Sequence, residues 1–254
     1  MESYIETLFE LEPYSSSQDE KDIVFYNAMK ESVKFHYVKS DEFRKLCDNR
    51  NFSPEEKFLI QDIPFLPVSL FKTFKLKSVP DADIVKTIFS SATTSNSPSV
   101  IFLDQITSKR QTKALIAIMK DFLIKKKNFL IIDQKSELAN SVEVRSRESA
   151  IRGFFPFMES INFGLDSELK LDISQLKNIK ENVCIMGFTW LLYTIMTENE
   201  NNSIAKEFFK NIKNPIIIHI GGWKKLNDKK ISKDKFNEKI SQFFNCDKKN
   251  IIDI

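Results

Sequence analysis

A short segment rich in hydroxyl side chains is the strongest candidate for chemistry in this sequence. It runs from Ser90 to Ser99, and seven of its ten residues are Ser or Thr. The apolar run before it, residues 84–89, predicts a β-strand, so the segment leaves a strand at its carboxyl end. Hydroxyls and successive backbone N–H groups in such a turn can bind phosphate oxygens. A polar hairpin loop without a ligand is the alternative, since Ser, Thr and Asn are common in turns.

A pair of adjacent glycines is the second candidate. Gly221 and Gly222 follow the apolar run 216–220 and precede Trp223 and two lysines. Adjacent glycines let a flat ring lie against bare backbone, and Trp can supply a surface for stacking or packing. A strand-to-helix turn whose Trp packs into the core is the alternative.

Glycine is scarce elsewhere, and its scarcity excludes several classes of nucleotide-binding protein. The chain has five glycines among 254 residues, whereas the usual share of about 7% would give roughly 18. The Gly-x-Gly-x-x-Gly dinucleotide fingerprint, the Walker A loop and the kinase glycine loop each need closely spaced glycines. None of the three patterns occurs in the sequence.

The charge balance gives no support for nucleic acid as a partner. The sequence has 38 Lys and Arg against 35 Asp and Glu, a net charge of +3, and most of the basic residues are lysine rather than the arginine that base recognition favours. The only histidines, His36 and His219, are too few and too far apart in sequence to indicate a metal site or a catalytic triad. We therefore predict no metal site and assign no catalytic residue.

The cysteines and the first residues predict a cytoplasmic protein. Cys47, Cys184 and Cys246 are odd in number and lack Cys-x-x-Cys spacing, which argues against a disulfide framework or a zinc site. The N-terminus is acidic and helical in pattern, without the basic and apolar regions of a signal peptide. No strongly apolar run approaches the 18 or so residues that span a bilayer, so no membrane span is expected. Cys184 is expected in the core.

Helical periodicity dominates the first 60 residues. Capping-box spacing at Ser17 predicts the start of one helix, and another begins near Ser40. Ser53 followed by Pro54 predicts the start of a third. We therefore predict a helical N-terminal region over residues 1–60.

Short apolar runs alternate with helical patterns over residues 61–254. The predicted strands are 84–89, 100–103, 129–133, 183–186, 216–220 and 251–254. The principal predicted helices are 105–126, 189–199 and 233–244. This alternation is typical of an α/β fold with a largely parallel sheet flanked by helices. We expect one continuous α/β body over 61–254.

Two further segments have helix-end signals. Thr189 follows a predicted strand and is expected to cap the helix after it. Residues 146–153 predict an amphipathic helix that ends at Gly153, and its arginines are expected to be exposed at the surface.

The order of these motifs resembles that of the LuxE-type acyl-protein synthetases, which are adenylate-forming enzymes. The similar stretches lie in one collinear order along most of the chain. They are Lys34–Tyr37, Asp62–Phe71, Phe89–Thr94, Ser99–Asp104, Arg110–Leu115, Leu130–Asp133, Arg152–Phe154, Gly187–Thr189 and Gly221–Leu226. Several weak motifs in one order are more specific than any of them singly.

The resemblance implies ATP-dependent activation of a carboxylic acid, in this family a fatty acid. The acid would form an acyl-adenylate, pyrophosphate would leave, and the acyl group would pass to a protein thiol. ATP and Mg²⁺ are the implied cofactors, and the implied partner is an acyl-acceptor protein or a reductase subunit. The family's phosphate loop carries over to Ser90, Ser91, Thr93, Thr94 and Ser95. Its adenine-side motif carries over to Gly221, Gly222 and Trp223.

Two departures from the family pattern keep another function open. The family loop has glycine where this chain has Ala92, and again near Ser95. The superfamily's next motif, Tyr-Gly-x-x-Glu, should follow Ile254, so the sequence is expected to be a fragment or a shortened chain, without the C-terminal part and its acyl-accepting cysteine. The alternative function is a non-catalytic relative that acts as a partner-binding or assembly subunit.

Overall fold

The computed structural model describes residues 3–90, 97–135, 143–174, 176 and 179–254. Within these residues the helices are α1 (Tyr4–Glu10), α2 (Gln18–Lys39), α3 (Asp41–Asn49), α4 (Gln105–Met119), α5 (Ser146–Gly153), α6 (Thr189–Glu198), α7 (Ser203–Lys210) and α8 (Lys233–Phe244). The strands are β1 (Ile84–Phe89), β2 (Val100–Asp104), β3 (Lys127–Gln134), β4 (Glu143–Arg145), β5 (Met158–Leu165), β6 (Val183–Phe188), β7 (Ile216–Ile220) and β8 (Ile251–Asp253). None of these helices has both the length and the hydropathy of a membrane-spanning segment. The predicted α/β class is confirmed.

The chain divides into two compact units. Unit 1 consists of Met1–Phe122 and Asn140–Phe154, and unit 2 consists of Leu123–Ala139 and Phe155–Ile254. The described strands form one sheet in each unit, where the sequence pattern predicts a single sheet. The division into a helical region over 1–60 and a body over 61–254 stays a prediction.

Unit 1 combines α1 to α5 with a three-stranded sheet in the order β2-β1-β4. β1 pairs antiparallel with β2 and parallel with β4. As predicted, Ser17 caps α2, accepting a hydrogen bond from the Glu20 N–H at 3.3 Å. Asp104 caps α4 in the same way, and its hydrogen bonding with Thr107 lowers the pKa of the Asp104 carboxyl. These caps satisfy N–H groups that a helix start leaves without partners.

Unit 2 contains a parallel sheet in the order β5-β3-β6-β7-β8. All residues of β6 are buried, so both faces of this central strand are covered, as is usual for parallel sheets. α6 packs against β6 and β7, and α8 packs against β8. Between α7 and α8 the rings of Phe209 and Phe244 contact each other, with centroids 4.8 Å apart. Each large apolar side chain buried here contributes roughly 1.5–3 kcal/mol.

The predicted strands are confirmed, and those at 84–89 and 216–220 have the observed bounds. The helix predicted over 105–126 is wrong at its end, because α4 stops at Met119 and β3 already begins at Lys127. Apolar spacing continues past Met119, so the pattern did not indicate this end. The sequence patterns also do not identify β4, β5 and α7.

The helix predicted to begin at Ser53 is wrong, since residues 54–59 form turns and irregular backbone. The rings of Phe52 and Phe58 pack together instead, with centroids 5.0 Å apart. The hydroxyl of Tyr26 also donates to the Phe58 carbonyl at 3.0 Å. Phe52 precedes the predicted cap, whereas Phe58, which is buried, would lie inside the predicted helix. The contacts that Phe58 makes with Phe52 and with Tyr26 outweigh the local start signal.

Gly187 in β6 lies where the unit 2 core has no room for a side chain. A Cβ placed there would lie 2.8 Å from Leu192 Cδ2 and 3.2 Å from Ile132 Cβ. We expect Gly187→Ala to lower the free energy of unfolding by about 1–3 kcal/mol, because an overpacked site forces its neighbours to shift. Urea denaturation measures this loss.

Two further variants test the steric cause. Combining Gly187→Ala with Leu192→Ala should lower the free energy of unfolding by about 1 kcal/mol less than the two single losses added together. Strictly additive losses would contradict the explanation. Gly222→Ala is the matched control, since a Cβ there meets no atom within 4 Å, and its free energy of unfolding should stay within about 0.5 kcal/mol of the parent value.

Candidate functional site

The hydroxyl-rich segment joins β1 to β2, and two hydrogen bonds close it at its base. The N–H of Ser90 donates to the Ser99 carbonyl at 3.0 Å, and the N–H of Ser99 donates to Ser90 Oγ at 2.8 Å. Ser90 is exposed. The other predicted phosphate-binding residues, which lie outside the described residues, are Ser91, Thr93, Thr94 and Ser95. A phosphate-binding role for this segment stays a prediction.

A strand that the sequence patterns missed brings a cation to the same edge of the unit 1 sheet. β4 runs parallel to β1, with Arg145 opposite Phe89, so the two strands end together beside Ser90. Arg145 is exposed, and α5 begins at the next residue. A guanidinium and a hydroxyl-rich turn at the carboxyl ends of parallel strands are groups that suit phosphate oxygens.

The predicted helix over 146–153 is confirmed as α5, but the expectation that its arginines are exposed is wrong for Arg152. The Arg152 side chain is 20% exposed and pairs with Glu148, which is 15% exposed, one turn earlier on the helix. Lys86 of β1 donates to Ser149 Oγ at 2.8 Å. Burial lowers the pKa of Lys86, and the charge of Arg152 adds to this effect. The Lys86–Ser149 hydrogen bond joins β1 to α5, whereas the Arg152–Glu148 pair lies within the helix.

The Gly221–Gly222 pair forms an exposed turn at the end of β7 in unit 2. Gly221 has a φ of 74°, in the left-handed region that favours glycine. The φ of Gly222 lies outside that region, and a Cβ on Gly222 would meet no atom within 4 Å. The fold therefore accounts for the glycine at 221 but not for the one at 222.

Thr189 contacts this turn, and its predicted role as a helix cap is wrong. It is the first residue of α6, and Phe188 occupies the cap position without a side-chain hydrogen bond. The Thr189 hydroxyl instead donates to the Gly221 carbonyl at 2.7 Å. The parallel register explains this, because β6 and β7 end side by side with Phe188 opposite Ile220.

His219 lies beneath the turn and is 3% exposed. Its Nδ1 is 3.1 Å from the Thr189 hydroxyl oxygen and 3.4 Å from Asp253 Oδ1. Burial lowers the pKa of His219, whereas the Asp253 carboxylate acts in the opposite direction. Lys233 in turn pairs with Asp253 at 2.8 Å. Sequence spacing could not reveal this network, because its members come from different elements.

Trp223 is half-buried and packs edge-on against two aromatic rings. Its ring centroid lies 4.9 Å from that of Tyr193 and 5.4 Å from that of Phe236. These contacts favour the packing alternative for Trp223, and an adenine-side role stays a prediction. The next residue, Lys224, places its Nζ 5.8 Å from the Phe188 ring centroid. The turn is thus followed by an aromatic cluster and a cation.

The three thiols lie in the interior. Cys47 and Cys184 are fully buried, and Cys246 is 7% exposed. Burial raises the pKa of all three, that of Cys246 to about 12, so none of them is a ready thiolate at neutral pH. In the part of the chain that the structure describes, no three His, Cys, Asp or Glu side chains converge as around a metal ion.

The fold is similar to that of solved adenylate-forming ligases. An open conformation of 2-hydroxyisobutyryl-CoA ligase, in complex with 2-HIB-AMP and CoA, matches with a TM-score of 0.65 and 12% identity over 96% of this chain and 57% of that one. The post-adenylation state of the same ligase, in complex with 2-HIB-AMP, matches with a TM-score of 0.68 and 12% identity over 96% of this chain and 52% of that one. At such low identity the similarity concerns the fold alone.

Sequence comparison is more specific. Two curated relatives are both named long-chain-fatty-acid–luciferin-component ligase. The Aliivibrio fischeri protein is 25% identical over 250 residues, which cover 96% of this chain and 65% of the relative. The Vibrio harveyi protein is 24% identical over 237 residues, which cover 90% of this chain and 60% of the relative. This chain thus spans less than two thirds of the length of either relative.

The family comparison covers nearly the whole sequence. The model described as "Acyl-protein synthetase, LuxE" matches residues 2–254. This match agrees with the collinear order of motifs and with the names of both relatives. The chain belongs to the LuxE family of acyl-protein synthetases.

Proposed function

We propose that this chain carries the nucleotide-binding part of an ATP-dependent ligase that activates a long-chain fatty acid. The observation that carries the proposal is the family match over residues 2–254. The names of the two relatives support a long-chain fatty acid as the substrate class. The fold supports adenylate chemistry, since the similar ligase was solved with an acyl-adenylate, 2-HIB-AMP.

The proposed reaction has two steps. A carboxylate oxygen of the acid attacks the α-phosphorus of ATP, a new P–O bond forms, and the bond to pyrophosphate breaks. A thiol sulfur then attacks the carbonyl carbon of the acyl-adenylate, loses its proton, and AMP leaves with the electron pair of the acyl–oxygen bond. Mg²⁺ accompanies ATP, because a divalent cation neutralises charge on the departing pyrophosphate.

In unit 1 we assign the β- and γ-phosphates to the segment after β1. Its predicted donors are Ser90, Ser91, Thr93, Thr94 and Ser95. Hydroxyl and N–H donors aimed at phosphate oxygens stabilise the charge that develops as pyrophosphate leaves. Arg145 supports this assignment, since it is exposed at the end of β4, opposite the last residue of β1.

In unit 2 we assign the adenine to the bare backbone at Gly221 and Gly222, beside Trp223. Gly222 supports this assignment because nothing among the described residues accounts for it. It is exposed, its φ does not require glycine, and a Cβ would enter open space. A flat ring lying on the turn would fill that space, and glycine would then be needed to let it approach.

The accepting thiol comes from outside these 254 residues in this proposal. Cys47, Cys184 and Cys246 are buried, and burial raises their pKa, so none is suited to attack an acyl-adenylate. An acyl-acceptor protein or a reductase subunit would supply the thiol and receive the acyl group as a thioester.

The phosphate assignment predicts that the double variant Thr93→Ala/Thr94→Ala binds ATP at least about tenfold more weakly, since each lost hydroxyl removes a hydrogen bond to a charged group. Titration calorimetry with ATP and Mg²⁺ measures the dissociation constant. The matched control is Thr112→Ala/Thr197→Ala, whose exposed hydroxyls only bond to carbonyls of their own helices at 3.1 and 2.8 Å. Unchanged affinity in the first pair would refute the assignment. No binding by the parent chain would favour a non-catalytic assembly subunit.

The adenine assignment predicts that Gly222→Ala weakens ATP binding about fivefold or more while the free energy of unfolding stays unchanged, because the added methyl meets the ligand and not the protein. Gly164→Ala in β5 is the control, since its added Cβ would meet the protein and not the ligand. It would lie 3.3 and 3.4 Å from side-chain ends of Ile132 and Leu130. Calorimetry and urea denaturation of both variants give the two quantities. Equal ATP affinity in Gly222→Ala and the parent would exclude close approach of the ring.

The substrate class predicts acid-dependent exchange of labelled pyrophosphate into ATP, because adenylation is reversible while pyrophosphate is present. We expect a long-chain fatty acid to accelerate exchange and acetate at equal concentration to leave it at background. The assay uses a chain lengthened to the span of the curated relatives, since this sequence covers 60 to 65% of them. Exchange that is equal with both acids would argue against a fatty-acid ligase.

A further inference from the structure

We propose that Thr189 is a positioning residue whose hydroxyl orients the peptide plane between Gly221 and Gly222, and that His219 holds this hydroxyl in place. The assignment of adenine to this peptide rests on the proposed function, whereas the hydrogen bonds of Thr189 are observed in the structure. One hydrogen bond of 2.7 Å joins Thr189 to Gly221, which lies 32 positions further along the chain.

The direction of each hydrogen bond follows from the number of protons available. Thr189 Oγ has three close partners: the Gly221 carbonyl at 2.7 Å, His219 Nδ1 at 3.1 Å and the Ile220 carbonyl at 3.4 Å. A hydroxyl has a single proton, and the shortest contact, which is to the Gly221 carbonyl, takes it. The Thr189 oxygen is then an acceptor toward His219, so Nδ1 carries the imidazole proton.

The surroundings of His219 support this tautomer. The charged groups that face the ring are Asp253 and Lys233. Asp253 Oδ1 lies 3.4 Å from Nδ1, and its negative charge favours a proton on that nitrogen. The ring is buried, and Nε2 has no hydrogen-bond partner among the described residues, so a proton on Nε2 would be a buried donor without an acceptor. When the neutral ring donates through Nδ1 to the Thr189 oxygen, the Thr189 hydroxyl proton is available for the Gly221 carbonyl.

Both sides of Gly221 are thereby held. Its N–H donates to the Ile254 carbonyl at 3.3 Å, and the Ile254 N–H donates to the His219 carbonyl at 3.0 Å. The Gly221 carbonyl accepts from Thr189 on the other side. Ile254 and Thr189 therefore hold the left-handed turn between them.

Fixing the Gly221 carbonyl also fixes the N–H of Gly222. The two groups belong to one planar trans peptide and point in opposite directions. The Gly222 N–H therefore points away from Thr189, and its α-carbon carries no side chain. Thr189 in this way sets the direction of the one bare backbone surface that we assign to adenine.

Three variants separate this role from a general effect on folding. Thr189→Val keeps the shape and removes the hydroxyl, and Thr189→Ser restores it. Thr194→Val is the matched control on the same helix, since the Thr194 hydroxyl bonds only to the Trp190 carbonyl at 3.0 Å. In the 254-residue chain, hydrogen exchange of the Gly221 amide reports on the turn, and calorimetry with ATP and with pyrophosphate reports on binding.

We expect the Gly221 amide hydrogen to exchange roughly fivefold faster in Thr189→Val, because the hydrogen bond that holds the Gly221 carbonyl is lost and the turn opens more often. In Thr189→Ser and in Thr194→Val, the Gly221 amide hydrogen should exchange at the parent rate. Thr189→Val should also bind ATP about fivefold more weakly and pyrophosphate as before. An unchanged exchange rate of the Gly221 amide in Thr189→Val would overturn the proposal. Equal acceleration of the Ile217 and Ile218 amides in β7 would also overturn it, because it would indicate a general structural role.

If Thr189→Val does not fold, His219→Asn and His219→Gln decide the question. The Asn amide can place an N–H near the position of Nδ1, whereas the Gln amide reaches toward Nε2. Faster Gly221 exchange in His219→Gln than in His219→Asn supports the network, and equal rates overturn it. Failure of the parent to bind ATP, together with the expected exchange rates, would refute the proposed function and leave the positioning role intact.

Discussion

The complete burial of β6 is the constraint on which the organisation of unit 2 depends. All residues of this strand are buried, so its backbone N–H and C=O groups need partners within the sheet, and β3 and β7 supply them on either side. Because the pairing is parallel, β6 and β7 end at the same edge, with Phe188 opposite Ile220. Thr189 and Gly221 follow directly and become neighbours, which places a buried hydroxyl under an exposed turn.

The few glycines of this chain meet different physical needs. Packing accounts for Gly187, whose Cβ would lie within 3.2 Å of both Leu192 and Ile132, whereas at Gly153 a Cβ would meet the end of the Leu115 side chain at 2.9 Å. Gly221 is explained by its φ of 74°. Gly222 has neither explanation, because its Cβ would enter open space. Gly222 is therefore the glycine that a ligand would need. At this position, the adenine-side role implied by the family resemblance can be tested.

The elements that local sequence patterns predict correctly are those whose structure depends little on distant parts of the chain. β7 was predicted with the observed bounds because a largely apolar run between polar turns indicates burial whatever its partners are. β1 also has the predicted bounds, although Lys86 and Thr87 interrupt its apolar residues and Thr87 alone among its residues is buried. β5 was missed because Glu159 and Ser160 interrupt its pattern, and it is a strand through its pairing with β3. The start signal at Ser53 failed for the opposite reason, since the hydrogen bond from Tyr26 to Phe58, residues 32 apart in sequence, and the packing of Phe58 on Phe52 outweighed a valid local signal.

The sequence by itself determined the α/β class, the principal strands and the resemblance to the LuxE family, because periodicity and motif order are properties of the chain alone. The tertiary structure decided what individual side chains do. Thr189 has the sequence context of a cap but binds the Gly221 carbonyl, and His219, isolated in sequence, is buried beside Thr189 and close to the exposed carboxylate of Asp253. Strand register brings these partners together across the sheet, and because β6 is buried on both faces, its apolar pattern does not indicate its register with β7.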